Sequence, residues 1–511
     1  MRLALAGREV DGERAAFAAT VLLAGATFWL VPRLPMSDLP QHAAQVALWH
    51  DLLTGASKWQ PLLYLNYFTP YLVGEGAALA LSFVLPVSAA LKAVLFLAYL
   101  GFVASCMALR VRFGGDRRLD WLFVPGYFGY ACALGLYTFL VAAPLGVLFM
   151  VLAHRYASRP SPAAGALLCL ADVVLFFSHG LVFLFANTIG GLFLLLSVRS
   201  WPRLLPAALP YVGAGLLCVV YALVQMRGDT AFTVETYKSG WYWDLTRLDF
   251  VAFTTGGPVG RRFNADWAMG ALVVLALGAP LALGARFNRS DRNAYVPLAI
   301  TCLIWLAAPM AALNFGALYP RFAIFLLPAW AFVFTPPAAG RERRDLAGAL
   351  WLPILCWAFL VVRCEQLIAF GKESETFEDV LAAAEPGARA VALIFDPLSP
   401  AAGDVVAYFH FPLWYQAEKG GLVDYNFAGT PAQIVRYRPD SLPATFLTPN
   451  WTWRRPEDLD WARDETTYRY YFVRSIRPLP DGFFPGGRCA PALVKSSGPW
   501  SLFENVSCHR G

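Results

Sequence analysis

Residues 136–159 read LYTFLVAAPLGVLFMVLAHRYASR, in which an uncharged, largely apolar run reaches about residue 153 and Arg155 and Arg159 follow. A helix of about 20 such residues crosses the hydrocarbon core of a bilayer. Arginines beside a membrane helix stay on the cytoplasmic side. The stretch therefore predicts a transmembrane helix whose C-terminal end faces the cytoplasm.

The rest of the chain repeats this pattern. Of its 511 residues 58% are hydrophobic and only 15% charged, which excludes a soluble fold because too little polar surface is present to cover it. Further apolar runs lie at about 15–31, 76–109, 121–134, 163–178, 180–198, 205–226, 267–285, 294–312, 321–338 and 346–363. The run 76–109 is too long for one upright span and could include a re-entrant piece. Counted as one crossing, it gives about eleven transmembrane helices and an all-α, polytopic helical bundle.

Arginines collect in every second connection between these runs. The clusters are Arg110, Arg112, Arg117 and Arg118; Arg155 and Arg159; Arg199 and Arg203; Arg286, Arg289 and Arg292; and Arg341, Arg343 and Arg344. The positive-inside rule places all of them in the cytoplasm, so the N-terminus is predicted inside and the C-terminus outside. The net charge of +6 then reflects topology and not binding to nucleic acid.

Three segments that the topology predicts to face outward are long enough to build a functional site. The topology predicts a transmembrane domain, 1–363, with outward loops at 33–75 and 227–266, and an extracytoplasmic domain, 364–511. This tail is rich in acidic and aromatic residues, a composition too aromatic for disorder. Its stretch 388–395 is typical of a buried strand, and Asp396-Pro397 then marks a turn. We expect a small α/β or mixed domain on the outer face of the membrane.

Of the nine cysteines, Cys489 and Cys508 lie in the polar part of this tail. Disulfides form in oxidising compartments, and the topology places the tail outside the cytoplasm. The sequence therefore predicts a Cys489–Cys508 disulfide, which would contribute on the order of 3 kcal/mol. No CxxC pair and no zinc-like spacing of cysteine and histidine is present.

The segment Pro35-Met36-Ser37-Asp38-Leu39-Pro40-Gln41-His42 follows the first apolar run and starts the outward loop 33–75. A carboxylate at a partly desolvated boundary can act as a general base, and His42 could tune Asp38 or join it at a metal ion. Residues 43–53 can form an amphipathic helix along the membrane interface. The alternative is that Asp38 caps this helix and His42 only forms a hydrogen bond.

This arrangement resembles the GT-C superfamily of membrane glycosyltransferases: a first span, a long outward loop with an early Asp, an interfacial helix, and paired short helices with outward turns. The segments Gly126-Tyr127-Phe128-Gly129-Tyr130, Gly135-Leu136-Tyr137-Thr138-Phe139 and Ser178-His179-Gly180 are similar to bacterial members. The resemblance implies a protein of the bacterial inner (plasma) membrane with a periplasmic tail.

The resemblance also implies an activity. GT-C enzymes transfer a sugar from a polyprenyl-phosphate carrier to a lipid or glycan acceptor on the outer side, and an acid of the first loop acts as base. That role falls on Asp38. Many relatives carry two acids close together there, whereas this chain has Asp38 followed by His42. The resemblance therefore implies no certain cofactor, and a divalent metal ion stays open.

A phosphate leaving group needs cations, because charge develops on its oxygens as the glycosidic bond breaks. On the outer side, Arg321 in Tyr319-Pro320-Arg321-Phe322 would open a helix whose dipole adds to the attraction. The alternative for Arg321 is that its side chain extends to the lipid headgroups and binds no substrate. Further candidates for substrate binding are His179, Arg262, Tyr242 and Trp243, and the tail adds His410, Trp414, Tyr415 and Tyr425. Each of these residues could instead have only a structural role. The histidines could be hydrogen-bonded within the fold, the arginine could be a solvated loop residue, and the aromatic residues could anchor the chain at the membrane interface.

Other functions stay open. Asp172 lies within run 163–178, where an acid costs about 2.5–3.5 kcal/mol unless it is paired, protonated or exposed to a cavity. Lys92 could be its partner. This acid is the one feature that favours a transporter or flippase of lipid-linked substrates. A catalytically silent membrane scaffold is the remaining alternative. The sequence has neither a P-loop nor a dinucleotide-binding glycine motif.

Overall fold

Helices form most of the part of the chain that the computed structural model describes, residues 2–5, 8–225, 248–259, 264–310, 316–337, 346–443, 456–484, 489–505 and 508. The α-helices are α1 (Gly12–Ala26), α2 (Leu39–Thr54), α3 (Leu72–Ser82), α4 (Val87–Arg112), α5 (Tyr130–Leu134), α6 (Tyr137–Ser158), α7 (Pro162–Phe176), α8 (Gly180–Ser197), α9 (Trp201–Ala207), α10 (Leu209–Gln225), α11 (Asp249–Ala252), α12 (Trp267–Ala282), α13 (Val296–Ala307), α14 (Leu318–Arg321), α15 (Leu326–Phe332), α16 (Leu346–Ala383), α17 (Leu413–Lys419) and α18 (Trp461–Asp464).

The strands are short outside the tail. They are β1 (Arg2–Leu5), β2 (Arg8–Asp11), β3 (Leu63–Leu65), β4 (Pro258–Val259), β5 (Asn264–Ala265), β6 (Arg286–Phe287), β7 (Phe334–Thr335), β8 (Arg389–Ile394), β9 (Leu422–Val423), β10 (Val435–Tyr437), β11 (Tyr470–Arg474), β12 (Ala492–Ser497) and β13 (Trp500–Glu504). Five of them, β8, β9, β11, β12 and β13, form a single sheet.

Several helices are long and apolar enough to cross a membrane. In the described part of the chain these are α4, α6, α8 and the segment Leu350–Ala383 of α16, and α9 with α10 would make one further span bent by 45°. Helices α4, α6 and α8 pack side by side. The protein is therefore embedded in a membrane, as the apolar runs predict.

The apolar runs do not each become one straight helix. The run 76–109 is divided into α3 and α4 at Pro86, whose ring cannot continue a helix from the preceding turn. The run 121–134 forms two 3-10 turns, Arg117–Phe123 and Gly126–Phe128, followed by α5. The parts of these turns that fall within the run, residues 121–123 and 126–128, are buried and largely apolar, so hydropathy alone does not separate them from a span. The number of about eleven spans stays a prediction.

The suggested pairing of Asp172 with Lys92 is wrong. Oδ1 of Asp172 accepts a hydrogen bond of 2.7 Å from Nδ2 of Asn187 on the next helix. Nζ of Lys92 instead donates to the carbonyl oxygens of Val31 and Pro32, at 2.6 and 2.7 Å. Lys92 and Oδ1 of Asp172 are therefore each bonded to other neighbours, whereas Oδ2 of Asp172 is buried and has no hydrogen-bond partner among the described residues.

The tail is a small mixed domain, as predicted. Its five-stranded sheet has the order β12-β13-β11-β8-β9. Strand β8, which the sequence places at 388–395, is parallel to both β11 and β9, whereas β13 is antiparallel to β11 and β12. A disulfide joins Cys489 to Cys508, whose Cα atoms lie 5.3 Å apart.

Helix α16 connects the membrane region to this sheet. It has 38 residues, so it is about 57 Å long, well beyond the roughly 30 Å of a hydrocarbon core. Its C-terminal part packs on β12 and β13. The predicted domain boundary at residue 363 falls inside this continuous helix. The tail is thus attached through a rigid rod and not through a loop.

Loop 33–75 is joined to the tail by several contacts, among them a strand pair and an ion pair. Strand β3 of the loop pairs antiparallel with β10 of the tail. The guanidinium of Arg33 bonds the carboxylates of Glu378 on α16 and Glu418 on α17, with Nη2 2.9 Å from Glu378 Oε2 and Nη1 2.9 Å from Glu418 Oε1. It also lies 4.7 Å from the ring of Trp414. Loop 33–75 and the tail therefore form one continuous outer layer.

Replacing Arg33 should loosen this layer. Arg33→Gln leaves two glutamates facing each other without a cation, and the buried side chain loses its charge-assisted hydrogen bonds. Because both glutamates are partly solvated, we expect a loss of about 1–3 kcal/mol, measured as a lower midpoint of thermal unfolding in detergent.

A surface pair provides the matched control. Arg117 and Glu13 lie 2.9 Å apart with 38% and 48% of their side chains exposed. Arg117→Gln should therefore cost well under about 1 kcal/mol. Equal midpoints for the two variants would contradict the role given to Arg33.

Candidate functional site

Asp38 is held in place by its backbone. The Asp38 N–H donates to the carbonyl oxygen of Leu134 at 2.9 Å, and the N–H of Ser37 donates to that of Ala133 at 3.3 Å. The segment before α2 is thereby docked on the turn between α5 and α6. The contact is between two stretches of backbone, so it leaves the Asp38 side chain to point elsewhere.

Gly135 makes this docking geometrically feasible. Its φ is +81°, in the left-handed region that favours glycine. A Cβ atom at this position would lie 2.9 Å from the backbone nitrogen of Asp38 and 2.8 Å from that of Leu39. The first glycine of the segment Gly135-Leu136-Tyr137-Thr138-Phe139 therefore has a specific physical function: it lets the loop carrying Asp38 approach the α5–α6 turn.

The Asp38 carboxylate is turned toward the tail. Asp38 occupies the N-cap position of α2, but its side chain makes no capping hydrogen bond. Instead its Oδ1 lies 3.4 Å from Nε2 of His410, with 19% of the Asp38 side chain exposed. The Asp38 carboxylate therefore does not cap α2, which was the alternative to a catalytic role.

His42 has a different partner from the predicted one. Its Nδ1 lies 2.9 Å from Oε1 of Glu75, a residue of α3 that is fully buried. Its ring packs against Tyr137 and Phe427, with centroids 5.4 Å away in both cases. No role for Glu75 was predicted from the sequence. Its position in an apolar helix was a usable signal, because a buried acid needs a specific partner.

Arg321 and His179 meet at the ring of Phe139. The guanidinium of Arg321 lies 5.6 Å from the centre of this ring, and the His179 ring lies 5.2 Å from it, edge to face. Arg321 also interacts electrostatically with Asp38 and with Tyr130. The predicted base and the predicted phosphate-binding cation are therefore brought to the same part of the molecule.

Two expectations about Arg321 are corrected. It does not open an α-helix, since it is the last residue of α14 and the N-cap of the 3-10 helix Phe322–Phe325. It also does not extend toward lipid, because only 6% of the residue is exposed. Its Nε donates to the carbonyl oxygen of Ala317 at 2.8 Å, and Nη2 donates to that of Gly316. The left-handed backbone of Ala317, with φ of 54°, accompanies this sharp turn.

His179 caps a helix. Its Nδ1 accepts a hydrogen bond of 3.2 Å from the N–H of Leu181, in the first turn of α8. Burial lowers the pKa of this histidine well below its ordinary value, and the nearby Arg321 and His42 add to the effect. The ring is therefore neutral, with its proton on Nε2. Nδ1 of His179 is therefore used as a helix cap.

The tail residues proposed for sugar binding separate into two groups. His410 lies against Asp38, and Tyr425 follows it in the same outer layer. Trp414 instead lies beneath Arg33, and Tyr415 donates to the carbonyl oxygen of Glu385 at 2.6 Å. Both of these side chains are fully buried. They stabilise the tail and are not placed to contact a ligand.

Three predicted residues, Tyr242, Trp243 and Arg262, lie outside the described residues. Within the described ranges no group of three or more His, Cys, Asp or Glu side chains is placed to hold a metal ion. A cavity of about 50 Å3 lies beside Leu34, Pro35 and Met36, and its described lining includes Arg363 but neither Asp38 nor Arg321.

Substitution of Gly135 should displace Asp38. Gly135→Ala adds a Cβ against the backbone of the docked segment and forces alanine to a positive φ, so we expect a loss of about 2 kcal/mol. Hydrogen exchange of the Asp38 amide should become faster, because its bond to Leu134 is weakened. Mass spectrometry of peptides covering residues 36–42 measures this directly.

Gly191 is the matched control for this substitution. It lies inside α8, and a Cβ there would meet nothing within 4 Å. Gly191→Ala should leave exchange at Asp38 unchanged and stabilise the helix by about 0.5–1 kcal/mol. Unchanged exchange in Gly135→Ala would show that the turn does not hold Asp38.

Two solved structures share this architecture. Over 98% of its length the chain matches 99% of ArnT from Cupriavidus metallidurans, a crystal structure bound to undecaprenyl phosphate, with a TM-score of 0.54 and 12% identity. It also matches arabinofuranosyltransferase AftD from mycobacteria with a TM-score of 0.51 and 16% identity, but spans only 40% of the length of that protein. No family model and no curated protein sequence matches the chain. The chain therefore shares the fold of these two structures, the GT-C fold that the resemblance predicts.

Proposed function

We propose that the protein is an integral membrane glycosyltransferase that moves a sugar from a polyprenyl-phosphate carrier to a lipid or surface-glycan acceptor on the outer face of the membrane. One observation carries the proposal. A partly exposed carboxylate, Asp38, and a buried guanidinium, Arg321, interact electrostatically at the outward turns of a GT-C fold. The undecaprenyl phosphate bound to ArnT supports the choice of carrier.

Asp38 would act as the base. A hydroxyl of the acceptor gives its proton to the carboxylate while its oxygen bonds to the anomeric carbon of the sugar. The bond from that carbon to the phosphate oxygen breaks at the same centre, and the phosphate leaves with the electron pair. The configuration of the sugar is inverted. The carboxylate suits this task because it is held at one oxygen by His410 and is not used as a helix cap.

Arg321 would bind the phosphate. In the described part of the chain its Nε and Nη2 are held by two carbonyl oxygens, Nη1 makes no hydrogen bond, and no carboxylate lies within salt-bridge distance. A buried guanidinium without a paired carboxylate attracts an anion strongly. The same charge stabilises the oxygens on which negative charge develops as the sugar departs.

The cytoplasmic arginine clusters support the orientation in this proposal. The N-terminus would lie in the cytoplasm of a bacterial inner membrane, and the tail would be periplasmic. Tyr242, Trp243 and Arg262 belong to the outward loop 227–266 and are proposed to contact the substrate on sequence grounds. The base at Asp38 requires no metal ion for the proton transfer itself.

The base is tested by Asp38→Asn. This change keeps the shape of the side chain and removes its ability to accept a proton, so we expect transfer to fall by about 100-fold or more. Activity is measured with a labelled polyprenyl-phosphate sugar in vesicles that contain equal amounts of protein. Asp172→Asn makes the same chemical change in an acid bonded to Asn187 and should retain activity. Full activity of Asp38→Asn would refute this base.

The cation is tested by Arg321→Gln. We expect weaker binding of polyprenyl phosphate and a rate lower by about 100-fold, because ground state and transition state both lose a charge partner. Arg363→Gln is the matched control, since the Arg363 guanidinium also lies over a phenylalanine, 4.4 Å from the ring of Phe128. If the two variants bind polyprenyl phosphate equally well, Arg321 is not the phosphate site.

A further inference from the structure

The tail reaches Asp38 through two polar contacts that link α2, His410 and the carboxylate. Gln41 is on the first turn of α2, and its Nε2 atom lies 3.1 Å from Nδ1 of His410. The other ring nitrogen of His410, Nε2, lies 3.4 Å from Oδ1 of Asp38. Gln41 and His410 are both buried, with 1% and 7% of each residue exposed. The carboxylate is therefore contacted by a side chain of the tail, which is itself held by α2.

The orientation of the Gln41 amide is fixed by backbone groups. Its Oε1 accepts from the N–H of Phe427 at 2.8 Å, and its Nε2 donates to the carbonyl oxygen of Tyr425 at 2.8 Å. The reversed amide would set an oxygen against a carbonyl and an NH2 against an N–H. The nitrogen of Gln41 must therefore be the atom that faces His410.

This orientation determines the proton positions on His410. The second N–H of the Gln41 amide points to Nδ1 of the imidazole, so Nδ1 must carry a lone pair. In the neutral ring the single proton then resides on Nε2, the nitrogen that faces Oδ1 of Asp38 at 3.4 Å. His410 cannot take the proton that Asp38 receives, because neither of its nitrogens has an unused lone pair. It is a donor to the carboxylate and not a proton relay.

The surroundings hold this geometry. The Phe427 ring contacts both histidines of the site, with its centroid 6.3 Å from His410 and 5.4 Å from His42. Tyr425, whose carbonyl orients Gln41, has a φ of 69°. One turn along α2, Gln45 binds both the N–H and the carbonyl of Val435, at 3.0 and 3.2 Å. Two glutamines four residues apart thus fasten one face of α2 to the backbone of the tail.

We propose that His410 is a positioning residue for Asp38, and that the neutral, Nε2-protonated ring of this tail histidine, set by Gln41, orients the carboxylate toward the acceptor. This inference rests on the proposed transferase function. It makes the base incomplete without the docked tail. Among the described residues, Arg321 on α14 and Tyr130 on α5 also interact electrostatically with Asp38, and both approach from the helical region.

Kinetics of three variants test the proposal. His410→Leu removes the donor, so the ionised carboxylate is less stable, and the acid limb of the pH–rate profile should move up by about one pH unit. Gln41→Glu places a carboxylate against Nδ1 and favours the imidazolium. The positive charge should then move the same limb down by about one pH unit. His410→Gln keeps a donor near the position of Nε2 and should restore most of the wild-type profile.

A purely structural role for His410 predicts a different outcome. The three variants would then lose activity in proportion to their loss of folded protein, with the acid limb at the same pH. The Michaelis constant for the lipid-linked donor should stay within about twofold in His410→Leu, because the proposal changes the base and not the phosphate site. An unmoved acid limb would overturn the proposal.

Nuclear magnetic resonance tests the same idea without activity. The chain has six histidines, and comparison with His410→Gln identifies the 15N signals of His410 in the labelled full-length protein. We expect a neutral ring protonated on Nε2 near neutral pH and a doubly protonated ring in Gln41→Glu. A proton on Nδ1 of the wild-type ring would overturn the assignment.

The two readouts separate the proposals. If Asp38→Asn abolishes transfer while His410→Leu leaves the pH–rate profile unchanged, the transferase stands and the positioning role fails. If the wild-type protein transfers no sugar, the proposed function fails, and the 15N signals still decide whether Gln41 and His410 hold the proton as inferred.

Discussion

The contact between the backbone of Asp38 and the turn that ends α5 is the constraint on which the outer side of the molecule depends. A backbone hydrogen bond to Leu134 and the absence of a side chain at Gly135 let the first loop lie directly on the membrane helices. A position fixed through backbone atoms does not depend on flexible side chains. The Asp38 carboxylate is then carried by a rigid turn, which is what a general base requires.

From this contact the structure extends in two directions. Toward the membrane, the segment that begins at Gly135 continues into α6, and its Phe139 ring packs against both Arg321 and His179. A guanidinium on an aromatic face keeps a favourable partner without neutralising its charge. Away from the membrane, α2 packs against α17. Asp38, the proposed base, therefore lies between a cation from the helical domain and a histidine from the tail.

The tail is part of the site because several different interactions hold it to the first loop. A short antiparallel strand pair, the Arg33 bridge and the two glutamines of α2 all join residues of loop 33–75 to the tail. Backbone partners predominate in this contact, and they impose position more strictly than solvated charges do. The long helix α16 supplies a stiff support from below. The outer layer is consequently a wall of the site and not an independent domain.

The sequence by itself determined the environment of the chain. Its apolar runs and arginine clusters predict a membrane-embedded helical protein, and its composition shift predicts a sheet domain in the tail, because these properties are encoded by local composition and spacing. The GT-C fold was instead predicted from a resemblance to a known superfamily, and the roles of Asp38 and Arg321 stay predictions. Local patterns did not reveal the break at Pro86 or the buried turns around Gly126, since a buried apolar turn and a span have the same hydropathy. Only the tertiary structure paired His42 with Glu75 and Asp38 with His410. The first pair depends on how α2 packs on α3 and the second on how the tail docks on α2, and no local pattern contains either distance.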